Sequence, residues 1–160
     1  MKLKKLHYTV EDGIAVVQLD YPKNLNAIDE EMADELLYVV QAAEADESVK
    51  VVVFKGSPRA FSAGGDIGYF YQLIKAGGDV NMDGLIGKVG KVTDGLKKMS
   101  KMVIASVSGA AAGAGASLAL TADFIICSEN AKFIMAFVNL GLVPDTGGSY
   151  LLVKQLGQKR

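Results

Sequence analysis

The chain has 160 residues and a mass of 16.9 kDa, enough to bury a core without disulfides or a structural metal, but tight for two compact domains. Half of the residues are apolar and 22% are charged, with 17 Lys and Arg almost balancing 18 Asp and Glu, which excludes disordered, collagenous and fibrous chains. A net charge of -1 supplies no basic excess for a nucleic-acid backbone, and one cysteine (Cys127) with one histidine (His7) is too few for an internal disulfide or a zinc site.

The basic start MKLKK meets Glu11 and Asp12 before an apolar run can form, so it is not a secretory signal and a cytoplasmic location is expected. Tyr8 and Val10 alternate with polar residues, Asp12-Gly13 signals a hairpin, and Ile14 to Leu19 reads as a second strand. His7 lies in the first of these strands, as a surface residue outside any Ser-His-Asp or Cys-His scheme. After the turn-rich YPKNLNA, Asp29 is placed to cap a helix with an apolar stripe of Met32, Leu36, Leu37, Val40 and Ala43. Val49 to Phe54 is nearly all apolar, the pattern of a strand covered on both faces.

The loop SPRAFSAGGD follows, and glycines at Gly77 and Gly78 separate a short helix from a longer one carrying Leu85, Ile86, Val89, Val92, Leu96 and Met99 at helical spacing. Met102 to Ala122 is uncharged, but its many Ala, Gly and Ser residues fit a buried strand, a turn and a tightly packed helix better than a membrane span. Phe124 to Cys127 is the next strand, Pro144 to Gly148 a turn, and Ser149 to Leu156 a final helix. Strands alternating with helices predict one α/β domain over residues 1–160.

Two glycine-rich turns, Ser62-Ala63-Gly64-Gly65-Asp66 and Gly109 to Ser117, each follow a strand and precede a helix. Such turns leave backbone N–H groups unpaired and let a ligand approach closely, so together they can hold an anion or a developing oxyanion; equally, they can serve close packing alone. Nucleotide motifs fail, since Gly113-Ala-Gly115 lacks the third glycine of GxGxxG and no GxxxxGK[ST] occurs. Met32, Met82, Met99, Met102 and Met135 are candidates for an acyl pocket or for ordinary core.

The stretches YPKNLNAID, AFSAGGDI, VSGAAAGAGASLALTADFIIC and AKFIMAFVNLGLVPDTGG follow one another in the order and spacing of the crotonase, or enoyl-CoA hydratase/isomerase, superfamily, which the chain resembles over nearly its whole length. The resemblance implies a ClpP/crotonase-like β-β-α spiral that binds an acyl thioester of coenzyme A or acyl carrier protein. Coenzyme A would be part of the substrate and not a permanent cofactor. It also implies a homo-oligomer, trimer or hexamer, and no membrane or nucleic-acid partner. Matched residue by residue, the oxyanion donors fall on the N–H groups of Gly65 and Ala114, and the CoA side runs along Lys23, Asn24, Leu25 and Ala27 and along Ala63, Gly64, Gly65, Asp66 and Ile67. Family members usually continue into further C-terminal helices, so the resemblance implies the groove without that lid.

Hydratases of the family use two glutamates to hold and activate water. The matching positions here are Ser117 and Phe137, both in the implied substrate pocket and neither able to carry a proton near neutral pH. The remaining carboxylate is Asp145, eight positions after Phe137, placed as in family members that move a double bond, a reaction needing one base. An Asp ahead of Thr146-Gly147-Gly148 also suits a helix cap. Asp66 is expected to anchor its loop or cap a helix, and Asp123 to be structural. The reading is therefore an enoyl-thioester isomerase, with a hydratase and a catalytically weak acyl-CoA-binding or assembly protein as alternatives.

Overall fold

A computed structural model describes residues 1–77 and 83–158; the expected Gly78 turn and Met82 lie outside the described residues. The elements in chain order begin β1 (Leu6–Glu11), β2 (Ile14–Leu19), α1 (Glu30–Ala45), β3 (Val51–Lys55), β4 (Ala60–Ser62), α2 (Ile67–Lys75) and α3 (Asp83–Lys98). They continue β5 (Met102–Val107), β6 (Ala110–Ala112), α4 (Ala114–Thr121), β7 (Phe124–Cys127), β8 (Lys132–Ile134) and α5 (Gly148–Leu156).

β1 and β2 form the expected hairpin, closed by Asp12 and Gly13, both at positive φ as a tight two-residue turn requires. β3, β5 and β7 extend it into a five-stranded sheet, order β1-β2-β3-β5-β7, parallel from β2 onward. Ala15, Val17, Val52, Phe54, Val103 and Ala105 form one face of that sheet and share a single core with the apolar sides of α1 and α3. The opposite face is only half-buried: Val16, Val53 and Ile104 stand in one cross-strand row that ends at the exposed Phe124. β3 is thus not covered on both faces, because the helical core takes only its Val52 and Phe54 side.

A second sheet, β4-β6-β8, is parallel and three-stranded. The sequence reading places the β4 and β6 segments in a loop and a turn and assigns no element to β8, since three residues are too few to show alternation and β6 is entirely alanine. Met102 to Ala122 divides into β5, β6 and α4, and among the described residues no helix is long and apolar enough to cross a membrane.

Asp29 caps α1, its side chain accepting from the Met32 N–H at 3.0 Å. The buried side of α1 includes Ala33, Glu35 and Val39, whereas Leu37 is only partly covered. Glu35 is 1% exposed and has a defined task. Its Oε1 accepts from the Lys4 N–H at 2.8 Å, and its Oε2 from the N–H groups of Lys5 and Leu6 at 3.0 Å each, which fastens the start of the chain to α1. Lys5, also buried, pairs with Asp29 and Glu31 and lies over the Tyr21 ring. Replacing Glu35 with Ala strands these three donors and is expected to cost about 3 kcal/mol, read as a lower urea midpoint, while Glu35→Gln, which keeps one acceptor, costs less. A parent-like midpoint for Glu35→Ala would show that the anchor contributes nothing.

Candidate active site

β4 leads into the turn Ala63 to Asp66, and β6 leads into Gly113; α2 and α4 start directly after. The two turns meet backbone to backbone. A Cβ on Gly64 would lie 2.5 Å from the Ala112 carbonyl oxygen and 3.2 Å from the Ala114 nitrogen, and one on Gly115 would lie 2.6 Å from Ser62 Cβ. No side chain fits in either place, so the small residues serve close packing, as one reading of the sequence holds.

They also leave donors unpaired. The segment Leu25 to Ile28 runs beside the first turn: Ala63 N–H donates to Leu25 O (3.0 Å), Ile28 N–H to Gly64 O (2.6 Å) and Asp66 N–H to Ile28 O (3.0 Å). In this parallel bridge the residue between the two bonded ones turns its own N–H away from Ile28, and the Gly65 N–H has no hydrogen-bond partner among the described residues. Ala114 is the first residue of α4, where helical geometry supplies no acceptor, and its N–H is equally unpartnered among the described residues.

Gly65 and Ala114 both line a cavity of about 250 Å³. Its walls come from α2, α3 and the turn after β8, with Phe70, Val89 and Phe137 among them, and Asp145 is the one titratable side chain among the described lining residues. Asp145 does not cap α5. The N-cap is Gly147 with no side-chain cap, and Asp145 contributes its carbonyl instead, which accepts from the Gly148 N–H at 2.7 Å and the Ser117 hydroxyl at 3.3 Å. Its Oδ1 is buried without a hydrogen-bond partner. Burial pushes the carboxyl above the ordinary aspartate range.

The remaining candidates divide. Ser117 is fully buried, does not line the cavity, and holds the Asp145 backbone; Phe137 lines the cavity and packs near Gly113. Of the residues expected on the CoA side, Ala63, Gly65 and Ile67 line the cavity, while Lys23 and Leu25 are exposed on the neighbouring turn. Asn24 and Asp66 bind each other (Nδ2 to Oδ2, 2.7 Å), and Asp66 Oδ1 caps α2 through the Tyr69 N–H at 3.0 Å, so Asp66 both anchors and caps. Ala27 and Gly64 are buried in the junction.

None of the described methionines lines the cavity: Met32 is core, Met99 packs on the core, Met102 is exposed and Met135 half-buried. Asp123 accepts from the Val103 N–H at 2.9 Å, a structural role, and His7 sits on the surface with its Nε2 on Asp20. Sequence reasoning missed Thr146, which gives no signal beyond adjacency to Asp145. It also missed the apolar side of α2, whose Ile67, Phe70 and Ile74 keep helical spacing although no residue of α2 is buried.

A family model for enoyl-CoA hydratase/isomerase matches residues 9–160. The chain is 34% identical over 160 residues to a trans-2-decenoyl-[acyl-carrier-protein] isomerase of Streptococcus mutans, which spans 100% of this chain and 61% of that protein. It is 36% identical over 161 residues to the 1,2-epoxyphenylacetyl-CoA isomerase of Escherichia coli, covering 94% of this chain and 58% of the relative. It superposes on the crystal structure of an enoyl-CoA hydratase from Mycobacterium avium subsp. paratuberculosis with a TM-score of 0.85 at 30% identity, over 98% of this chain and 58% of that one. The chain thus spans about 60% of the length of the relatives it matches. With two apposed glycine-rich turns, a mixed sheet of the same topology and a family match from residue 9 to the last residue, the chain belongs to the enoyl-CoA hydratase/isomerase family and has the crotonase fold.

Proposed function

We propose that the chain carries an enoyl-thioester isomerase site in which Asp145 moves a proton between C2 and C4 of a CoA or acyl-carrier-protein thioester. The observation that carries this reading is that Asp145 is, among the described residues, the single titratable side chain on a cavity also lined by Gly65 and Ala114, whose N–H groups have no partner among those residues. The thioester carbonyl oxygen sits on those two donors. The Asp145 carboxylate takes a proton from C2 of a 3-enoyl thioester, the C–H electrons move to form a dienolate with charge on that oxygen, and Asp145 returns the proton at C4 as the dienolate collapses to the conjugated 2-enoyl thioester. Fixed donors on an apolar cavity wall stabilise the charge where it develops, each worth about 10²–10³ in kcat. Burial helps as well, since a carboxyl held above its ordinary range is the stronger base.

Hydration needs two carboxylates around a water, and the positions matched to them hold Ser117 and Phe137, one buried away from the cavity and the other a phenyl wall. Coenzyme A enters as part of the substrate along Lys23, Asn24, Leu25, Ala27 and the Ala63 to Ile67 turn, with Lys23 the exposed cation of that face. The functional unit is a cytoplasmic homo-oligomer, trimer or hexamer; the exposed Phe124 (59%) and Ile126 (62%) of the edge strand β7 support an assembly that covers them.

Asp145→Asn is expected to lower turnover of a panel of 3-enoyl-CoA substrates at least ~10²-fold, followed by the rise in conjugated-thioester absorbance. An undiminished rate would remove Asp145 from the chemistry, and loss of that absorbance from 2-enoyl-CoA would indicate hydration instead. The same variant has a stability signature. The folded-state carboxyl of Asp145 titrates above its unfolded value, so the folded state binds the proton more tightly and stability falls as pH rises from the unfolded pKa through the folded one. Asp145→Asn should therefore match the parent at acid pH below both values and exceed it near neutrality, measured by urea unfolding across pH; a constant difference would contradict the assigned burial. Light scattering on the purified chain should give a mass at least three times that of the monomer, and a strictly monomeric species would contradict the assembly.

A further inference from the structure

We propose that Thr146 is the positioning residue of this site, its hydroxyl serving as the hydrogen-bond donor that the Asp145 carboxylate takes up when it is charged. The inference rests on the reading of Asp145 as the base only for its kinetic consequence, not for the hydrogen bond itself. Thr146 is β-branched yet has φ +48°, a backbone conformation that such residues rarely adopt, and it is 8% exposed. Its Oγ1 is buried with no hydrogen-bond partner, and so is Asp145 Oδ1, one residue away on the same cavity. A strained backbone and two adjacent unsatisfied polar atoms mark a place where conformation is held for use.

The other described side chains on the cavity lining are aliphatic or aromatic apart from glycine, so among the described lining residues Thr146 carries the only side-chain donor available to a carboxylate there. Ser117, the nearest alternative, is turned to the Asp145 carbonyl. A hydroxyl proton rotates freely about its C–O bond. It can therefore point at the carboxylate in the charged state and turn away once Asp145 has taken a proton from substrate. Thr146 is also the residue common to this cavity and to a second, more open cleft between α3, α4 and α5. The titratable groups on that cleft are Asp94 and Lys97 from α3 and Tyr150 from α5; those from α2 and α3 on the main cavity are none among the described lining residues. Lys97 is itself occupied by the Thr121 carbonyl and Asp123. Among the described lining residues no cation competes with the hydroxyl for Asp145 from the cavity side.

The test is the titration of the Asp145 side-chain carboxyl carbon by NMR in the full chain, its resonance assigned by its loss in Asp145→Asn. Thr146→Val keeps the branched shape and removes the donor, and should raise the midpoint by about one pH unit, whereas Thr146→Ser should titrate with the parent. Should Thr146→Val not fold, Thr146→Gly, which suits the positive φ, carries the same test. A parent-like midpoint in the hydroxyl-free variant, or an equal shift in Thr146→Ser, overturns the proposal. In turnover, Thr146→Val should lower kcat about tenfold with KM little changed and move the acidic limb of the pH profile upward, with Thr146→Ser restoring both. Full activity in Asp145→Asn would sink the base reading while leaving the titration result standing, so the two ideas fail separately.

Discussion

The site depends on a contact between two stretches of main chain. Gly64 lies against the Ala112 carbonyl and the Ala114 nitrogen, and Gly115 lies against Ser62, with no space for a Cβ at either glycine. Close approach of this kind is set by backbone geometry, and it fixes the ends of β4 and β6 relative to one another. The short second sheet holds that register: β6 pairs in parallel with β8 over three residues and with β4 at two, across a register shift between Ala60 and Ser62, before the chain is released into turns. Because Ile28 takes both hydrogen bonds on its side of the first turn, the Gly65 N–H is left over, and because Ala114 begins a helix, so is its N–H. Two free donors on one cavity wall follow from packing and pairing together.

Asp145 is held by a different logic. Its carbonyl is bound by Gly148 N–H and Ser117 Oγ, so the backbone is fixed while the carboxyl remains uncommitted. Ser117, fully buried, holds the Asp145 main chain and makes no bond to its carboxylate. With Phe137 on its wall, the cavity has apolar walls and, among its described lining residues, one titratable group, an environment suited to moving a proton between carbons and poorly suited to holding water.

Much of this was legible in the sequence where local chemistry decides. Asp12-Gly13 specified its hairpin, Asp29 its cap, and the glycine-rich turns their place between strand and helix. Asp145 was ambiguous because the same spacing serves a cap and a base, and only the position of Gly147 at the start of α5 separates them. The three-residue strands were illegible because alternation needs length, and β6 is an alanine run that gives no side-chain signal. Glu35 has no local sequence signal of its role; its burial depends on three amides that lie some thirty residues earlier and are brought there only by folding. Tertiary placement of that sort leaves no local trace.

α4 has a thermodynamic consequence of its own. Every one of its residues from Ala114 to Thr121 is buried, and most are Ala, Gly or Ser, side chains with few rotamers or none. A ligand arriving at its first turn therefore meets a helix with almost no conformational entropy left to surrender. The ordering cost of that wall was met during folding, when small side chains were locked against β4 and α3, and association draws instead on the longer residues of α2 and on the ligand's own freedom.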